Sequence, residues 1–455
     1  MNILFLILWI QPIISFIHFP FGPKFKISDR EVRKKILYDA PKEPLVNQIN
    51  GFYGLIGPDV DMKTVANIYD LFKGDGVIQG VFFDNGELTF VRHFIRTDKL
   101  VYEEENGRVP NHSINKLIFS LFNKLRLLPN PLGLANTAIL NVNKKNYALY
   151  ERDVPYEINI DFMNKKIETT NRISLPNIPH FSAHSKYNIE KNVVETIDYD
   201  IMTNSVSYFE LTPSFDIIQK NTFKMAHLPV VHDFLSTNTS IILFDSPISI
   251  EMYKIFTSPM PVALDKNKNT IIHVCNKQSG RIEQYNIKEG MYIFHYANYK
   301  ENDTHIDIYA PMYDKLDFSE LDISGKYRMV SINKLEKTAT IIKTPELERL
   351  NVEFPMRYGN RTLFRTLKNN VNNGFIIFEN LTIIKHIIFE NRFICGEPAI
   401  QNIKDCFYLI AYTFDIHNTT NSFLVIINLD NYEQTEIPLG ENISLGFHSA
   451  FVENK

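Results

Sequence analysis

Short strand-like runs separated by turn residues limit most strongly how this chain can fold. They recur about every ten to fifteen residues from Val60 onwards, as in GVIQGVFFDNGELTFVRHFI and NLDNYEQTEI. In the first of these, Asn85-Gly86 separates two runs, and Asn-Gly accepts the left-handed dihedral angles of a type I′ turn. The regular alternation of strands with helices that builds parallel sheets is absent. Consecutive hairpins without helices predict a closed all-β architecture, a barrel or a propeller.

The length of the chain favours the propeller. The 455 residues are 44% hydrophobic, which is enough for a large core. A prior of roughly 150 residues per domain would suggest about three domains, but a propeller absorbs such a length as one. We therefore expect an N-terminal extension over residues 1–42 and a single β-propeller domain over residues 43–455.

Charge and cysteine content exclude several classes of function. The chain has 52 acidic and 48 basic residues, a net charge of −4, so no overall positive field attracts nucleic acid. It has three cysteines and no CxxC motif. This set predicts neither a disulfide framework nor a structural zinc site.

The N-terminal run ILFLILWIQPIISFI is apolar but too short to predict a bilayer span. Its length is that of a signal-peptide core, although no basic segment precedes it and Pro12 interrupts it. A signal or membrane-proximal leader and a buried N-terminal extension both stay open. We expect a cytoplasmic, peripherally membrane-associated protein, or a secretory one if this run is a signal peptide. Several N-x-S/T triplets would suit the secretory route.

The segment INKLIFSLFNKLRLL, residues 114–128, departs from the strand pattern. Its apolar residues follow one another at three- and four-residue steps, with lysines and an arginine at other positions, as in an amphipathic helix. One interpretation is a helix that caps the β core. The other is a helix at a membrane surface, with its leucines in the acyl region and its lysines at the phosphates. The predicted membrane contacts are Leu117, Leu121, Phe122 and Leu125.

Four of the thirteen histidines share a local setting, a strand-like run beside a turn or a strand end. They are His184, His232, His295 and His448. For His232, the stretch VVHDFL predicts a strand that ends at the imidazole. No short metal motif such as HExxH is present. In a propeller, however, the innermost strands of all blades meet at one axis, where four neutral imidazoles would suit Fe, Zn, Cu or Ni.

Motifs from Asn50 to Val452 resemble those of the carotenoid cleavage oxygenases. NGFYGLIGP is similar to the opening G-x-Y-x-R-N-G-P of that family, and YALYERDVPYEIN to its A-L-x-E-x-x-x-P-Y-E segment. SAHSK, HDFLST, FHYANYKEN and GFHSAFV resemble the four iron-histidine motifs of the family, in the same order. The chain departs from the family pattern at Leu55-Ile56, Lys73 and Gln79, which replace Arg-Asn, Asp and His. None of these positions is a metal ligand in the family.

The resemblance implies a seven-bladed β-propeller with a loop-and-helix cap over an axial metal site. It implies a non-haem Fe(II) held by the four histidines named above. It further implies that carboxylates anchor these imidazoles from behind, and the matching residues are Glu151, Glu353 and Glu397.

The resemblance also implies a reaction. Fe(II) and O2 would cleave a conjugated C=C bond of a carotenoid, an apocarotenoid or a retinoid-like lipophilic substrate taken from a membrane surface, and give carbonyl products. Two alternatives stay open. One is an iron-dependent retinoid isomerohydrolase, which would release an isomerised alcohol; the other is a catalytically inactive propeller that binds a lipid or a partner and holds no iron.

Overall fold

A computed structural model describes residues 24–38, 45–60, 65, 68–108, 130, 133–151, 153–251, 262–316, 325–368 and 371–454. These residues are mostly strand, with two short α-helices and three single-turn 3-10 helices. The α-helices are α1 (Ile68–Leu71) and α2 (Asp98–Asn106), and the 3-10 helices are Ile27–Arg30, Val46–Gln48 and Leu347–Arg349. In this part of the chain, no helix has the length and apolar character needed to span a bilayer.

The strands follow one another in antiparallel hairpins along the chain. The first sixteen are β1 (Val32–Ile36), β2 (Gly51–Pro58), β3 (Gly76–Asp84), β4 (Glu87–Phe94), β5 (Ala138–Val142), β6 (Lys145–Leu149), β7 (Tyr156–Asp161), β8 (Lys166–Arg172), β9 (Lys186–Asn188), β10 (Val193–Asp200), β11 (Ser205–Leu211), β12 (Ile217–Lys224), β13 (Leu235–Ser236), β14 (Ser240–Asp245), β15 (Ile248–Ile250) and β16 (Val262–Leu264). The others are β17 (Thr270–Asn276), β18 (Ile282–Ile287), β19 (Asn298–Glu301), β20 (His305–Met312), β21 (Lys326–Asn333), β22 (Thr338–Ile342), β23 (Asn351–Tyr358), β24 (Arg361–Lys368), β25 (Val371–Glu379), β26 (Thr382–Ile388), β27 (Arg392–Ile394), β28 (Ala399–Ile403), β29 (Cys406–Asp415), β30 (Ser422–Asn428), β31 (Gln434–Pro438) and β32 (Ser449–Glu453).

Seven antiparallel sheets of four or five strands form a seven-bladed β-propeller, as predicted. Blade 1 has the strand order β1-β4-β3-β2-β32, and blades 2 and 3 are β5–β8 and β9–β12. Blade 4 is β13-β14-β17-β18, with the β15–β16 ribbon inserted, and blades 5 and 6 are β19–β22 and β23–β26. Blade 7 is β27-β29-β30-β31, and β28 also pairs with β29.

Local turn chemistry places the hairpins where the sequence predicts them. Between β3 and β4, Asn85 has φ 49° and Gly86 has φ 85°, the left-handed pair of a type I′ turn. In NLDNYEQTEI, β30 and β31 pair antiparallel across the polar turn. Both predicted hairpins are therefore confirmed.

The core lies between neighbouring blades rather than inside one sheet. Between blades 5 and 6, for example, four aromatic rings pack against one another, mostly at tilted angles, and are almost fully buried: Tyr309, Tyr327, Phe364 and Phe378. Burying a large apolar side chain stabilises a fold by about 1.5–3 kcal/mol, so each interface holds two blades together.

The first and last parts of the chain close the ring within one blade. β32 pairs antiparallel with β2, so that Phe52 lies opposite Val452. On the outer edge of the same sheet, β1 pairs with β4 although it lies within the residues predicted as an N-terminal extension. Around the axis, the strands β23, β28, β32, β5 and β9 contact one another in that order. The inner edges of five consecutive blades thus meet at a common centre.

Candidate metal centre

The imidazoles of His184, His232, His295 and His448 form a compact group at this centre, called here the histidine cluster. One ring nitrogen of each lies within 4.8 Å of those of the others. The Nε2 atoms of His184 and His232 are 2.8 Å apart. Among the described residues, this is the one group of three or more His, Cys, Asp or Glu side chains that could hold a metal ion.

The propeller brings the four imidazoles together although they are far apart along the chain. Each lies within three residues of the start of a strand at the inner edge of its blade: β9, β13, β19 and β32. These strands belong to blades 3, 4, 5 and 1. Because inner strands of a propeller line one axis, the residues that lead into them meet there.

The three predicted carboxylates come from the remaining blades. Glu151 follows β6 in blade 2, Glu353 lies in β23 of blade 6, and Glu397 lies between β27 and β28 of blade 7. Each of the seven blades therefore supplies one histidine or one glutamate. Each glutamate contacts the Nδ1 atom of one histidine in the cluster. The pairs are Glu151 with His232, Glu353 with His295 at 2.6 Å, and Glu397 with His448 at 3.2 Å.

Burial and the neighbouring charges set the protonation of the imidazoles. Burial lowers the pKa of His184 well below its ordinary value, and the adjacent imidazoles lower it further. For His448, burial also lowers the pKa, and Glu397 only partly opposes this effect. At His295, burial acts in the same direction, but Glu353 raises the pKa above its ordinary value overall. His184 and His448 are therefore held neutral, the form of an imidazole that binds a metal.

The nitrogen atoms fit a divalent transition metal. Since Nδ1 of three imidazoles faces a carboxylate, the Nε2 atoms of these rings face the middle of the cluster. Nε2 of His295 is buried without a hydrogen-bond partner, which costs free energy unless a ligand occupies it. An all-imidazole set with anchored rings suits Fe, Zn, Cu or Ni better than Mg or Ca, which prefer oxygen ligands.

The family of the chain follows from its sequence. The family model described as "Retinal pigment epithelial membrane protein" matches residues 47–453. The chain belongs to this family. The predicted resemblance to the carotenoid cleavage oxygenases, which include the retinoid isomerase of the eye, is confirmed.

Relatives and solved structures agree with this membership. The "Carotenoid 9,10(9',10')-cleavage dioxygenase 1" of Phaseolus vulgaris is 24% identical over 487 residues, which cover 91% of this chain and 86% of that protein. The Arabidopsis thaliana protein of the same name is 27% identical over 308 residues, 62% of this chain and 54% of that protein. The crystal structure of cobalt-substituted Synechocystis ACO superposes with a TM-score of 0.72 and 18% identity, over 95% of this chain and 98% of that one.

The prediction of a strand that ends at His232 is wrong. His232 lies outside any strand, and the inner strand β13 begins only at Leu235. The segment around His232 carries the chain from the outer strand of blade 3 to the inner edge of blade 4, where it has no neighbouring strand to pair with. Without a ladder, its backbone N–H groups find separate partners: that of Phe234 donates to Oδ1 of Asp233, and that of Val230 to the carbonyl of Leu228.

The residue after His232 has a role that the sequence analysis missed. Asp233 is buried, and its Oδ1 atom forms a 2.5 Å ion pair with Lys186. Its Oδ2 atom accepts the backbone N–H of Tyr296, directly after His295, and Lys186 donates to the carbonyl of His184. The Lys186–Asp233 pair thus ties together the segments that carry three of the four histidines. The adjacency of an acid to His232 was the available signal.

The departures from the family pattern are accommodated by packing between blades. Gln79 is fully buried and exchanges two hydrogen bonds with the backbone of Ser444, near the segment that carries His448. Leu55 packs so closely on Gly446 that a Cβ there would lie 2.4 Å from the leucine side chain. Lys73 forms a partly exposed ion pair with Asp70. Two of the three departures therefore lie at the contact that places His448.

An apolar wall flanks one side of the histidine cluster. Phe294 lies 5.4 Å from the ring of His232 and packs edge-on against Tyr292 and Tyr313. The same group extends to Ile248 and to partly buried aliphatic side chains. The predicted membrane contacts Leu117, Leu121, Phe122 and Leu125 lie outside the described residues.

Proposed function

We propose that the protein is a non-haem Fe(II) oxygenase that cleaves a conjugated C=C bond of a carotenoid, an apocarotenoid or a related polyene with O2. The observation that carries this proposal is the set of four converging imidazoles, three of which are anchored by buried or half-buried glutamates. Family membership and the names of the relatives, which are carotenoid cleavage dioxygenases, support the substrate class.

The reaction needs no acid or base from the protein for its overall balance. One O2 adds across R–CH=CH–R′, both bonds of the alkene and the O–O bond break, and R–CHO and R′–CHO form. Iron, when bound, supplies the activation of O2 that this addition requires.

The residues of the chain supply binding and position. Nε2 of His184, His232, His295 and His448 would hold the metal, and the glutamates fix the tautomer and the angle of the rings behind it. Four neutral ligands would leave the metal with its full 2+ charge. The half-buried ring of Phe294, backed by the buried rings of Tyr292 and Tyr313, offers an apolar surface beside the cluster against which a polyene could lie. Which double bond reaches the centre would then be decided by position.

Product analysis tests the proposal. Iron-loaded protein is incubated with carotenoids, apocarotenoids, retinyl esters and stilbenes under O2, and products are identified by mass spectrometry. We expect two carbonyl products from at least one polyene, with oxygen from O2 in each. An isomerised retinol released from an ester would replace the proposal with the isomerohydrolase. A chain that binds neither Fe(II) nor Co(II) would instead be the inactive binding propeller.

A further inference from the structure

The carboxylate of Glu353 is held on both of its oxygen atoms. Oε2 accepts from Nδ1 of His295 at 2.6 Å and from the backbone N–H of Phe354. Oε1 accepts from the hydroxyl of Tyr313 at 2.7 Å, and this contact is buried. Tyr313 lies 40 residues away in the chain, just after β20 of the neighbouring blade.

The Tyr313 hydroxyl is itself fixed in place. The backbone N–H and C=O of Tyr313 bond those of Tyr292 at 2.9 and 3.0 Å, in an isolated bridge. Its ring packs at 4.9 Å against Phe294 and is almost fully buried. The hydroxyl therefore reaches Glu353 from a rigid support rather than from a mobile loop.

The backbone conformation beside Glu353 is a second sign that this carboxylate is held in a fixed position. Phe354 has φ 52°, a left-handed conformation that bulky residues rarely adopt. This conformation directs its N–H to Oε2 of Glu353 and stacks its ring on His295, with ring centroids 5.6 Å apart. Such local strain concentrates at functional sites, where the surrounding structure enforces it.

We propose that Tyr313 is a positioning residue of the metal centre, acting through Glu353 on His295. A carboxylate held on one oxygen can still rotate about its last bond, and the imidazole it anchors would tilt with it. The Tyr313 hydroxyl removes that freedom, so that Nε2 of His295 stays directed into the cluster. This inference rests on the proposed metal centre but not on the reaction performed there.

Co(II) binding tests the role of Tyr313 without the need for turnover. Tyr313→Phe removes only the hydroxyl, and apo-protein is titrated with Co(II) while the visible d–d absorption is recorded. We expect the dissociation constant to rise about tenfold, the lower end of the range for residues behind a metal ligand, with a shifted absorption band. Added to Glu353→Gln, the same change is expected to weaken Co(II) binding no further, since both act through one carboxylate.

Blade 3 offers a matched control. The Tyr208 hydroxyl donates to Oε1 of Glu195 at 2.5 Å in a similarly buried contact outside the cluster. Tyr208→Phe is expected to lower the thermal midpoint by a similar amount and to leave Co(II) affinity and absorption unchanged.

Three results would overturn the inference. One is a Tyr313→Phe protein that binds Co(II) with the affinity and absorption of wild type. Another is full additivity of Tyr313→Phe and Glu353→Gln, which would show that the hydroxyl acts elsewhere. Failure of the wild-type protein to bind Co(II) would remove the metal centre itself, and with it the proposed function.

Discussion

Nδ1 of His295 lies 2.6 Å from Oε2 of Glu353, and both side chains are largely buried. The contact decides which ring nitrogen of the imidazole is available, because a nitrogen engaged by a carboxylate leaves the other one to bind a metal. Burial acts to raise the pKa of Glu353, but the charge of His295 and three hydrogen bonds lower it overall. The carboxylate therefore stays ionised beside the ring.

Glu353→Gln keeps the size of the side chain and removes its charge. We expect the affinity for Fe(II) or Co(II) to fall roughly 10–100-fold, since an amide anchors the imidazole less strongly and can present either end to it. Metal titration of the apo-protein measures this. Glu336→Gln, at an exposed hairpin, is the control and is expected to bind like wild type. Equal affinities for the two variants would contradict the anchoring role.

Replacing His232 or His295 with Ala is expected to strip most of the metal and to abolish oxygenase activity. The fold should persist, because the core between blades does not depend on an axial metal as a zinc finger does. Metal content after purification and the circular dichroism spectrum measure the two effects. His417→Ala, at an exposed position, is the matched control. Full metal occupancy in both cluster variants would rule out the ligand assignment.

Asp233→Asn keeps the shape of the side chain but breaks its ion pair with Lys186. We expect metal affinity to fall by about tenfold, in line with other outer contacts of metal sites, because three ligand-bearing segments lose a common anchor. Stability should fall by about 1.5–3 kcal/mol, the range for hydrogen bonds to charged groups. Metal titration and denaturant unfolding measure the two effects.

Glu195→Gln is the control for that experiment. It breaks a 2.6 Å ion pair with Lys277 that also joins blades 3 and 4 but lies outside the cluster. The control variant should lose stability and keep its metal affinity. The anchoring role of Asp233 is refuted if the two variants bind metal equally well.

The segment 114–128 is predicted to dock the protein on a membrane. Changing Leu121 and Phe122 to Ser should reduce co-sedimentation with liposomes, since each large apolar side chain withdrawn from lipid costs about 1.5–3 kcal/mol. The thermal midpoint should stay nearly constant. Lys124→Gln tests the phosphate contact alone and is expected to give a smaller, salt-sensitive loss.

The alternative interpretation of this segment predicts the opposite pattern. If the helix caps the β core, the double Ser variant buries polar groups and loses several kcal/mol of stability, to order of magnitude. A variant that melts far earlier, while its folded fraction binds liposomes as wild type does, would decide for the cap.

Local signals and chain length were enough to favour an all-β propeller, whereas the seven blades and the four histidines as ligands were implied by the ordered family motifs. Asn85-Gly86 predicts its hairpin because the turn depends on those two residues alone. The prediction for the segment before β13 was wrong because Val230 and Val231 favour a strand. A strand also needs a neighbouring strand to pair with, and this crossover between blades has none. Tyr313 and Asp233 were not found for a related reason. Their partners come from other blades, and a single sequence does not show which blades meet.

The pairing of β2 with β32 has a consequence for biosynthesis. Translation adds about 5–20 residues per second, and roughly 150 codons separate His295 from His448. Three of the four histidines therefore leave the ribosome about 8–30 seconds before the last. His448 directly precedes the strand that closes the ring. A nascent chain therefore completes its metal site and its ring in the same step. Premature termination before Gly446 removes both His448 and the closing strand at once.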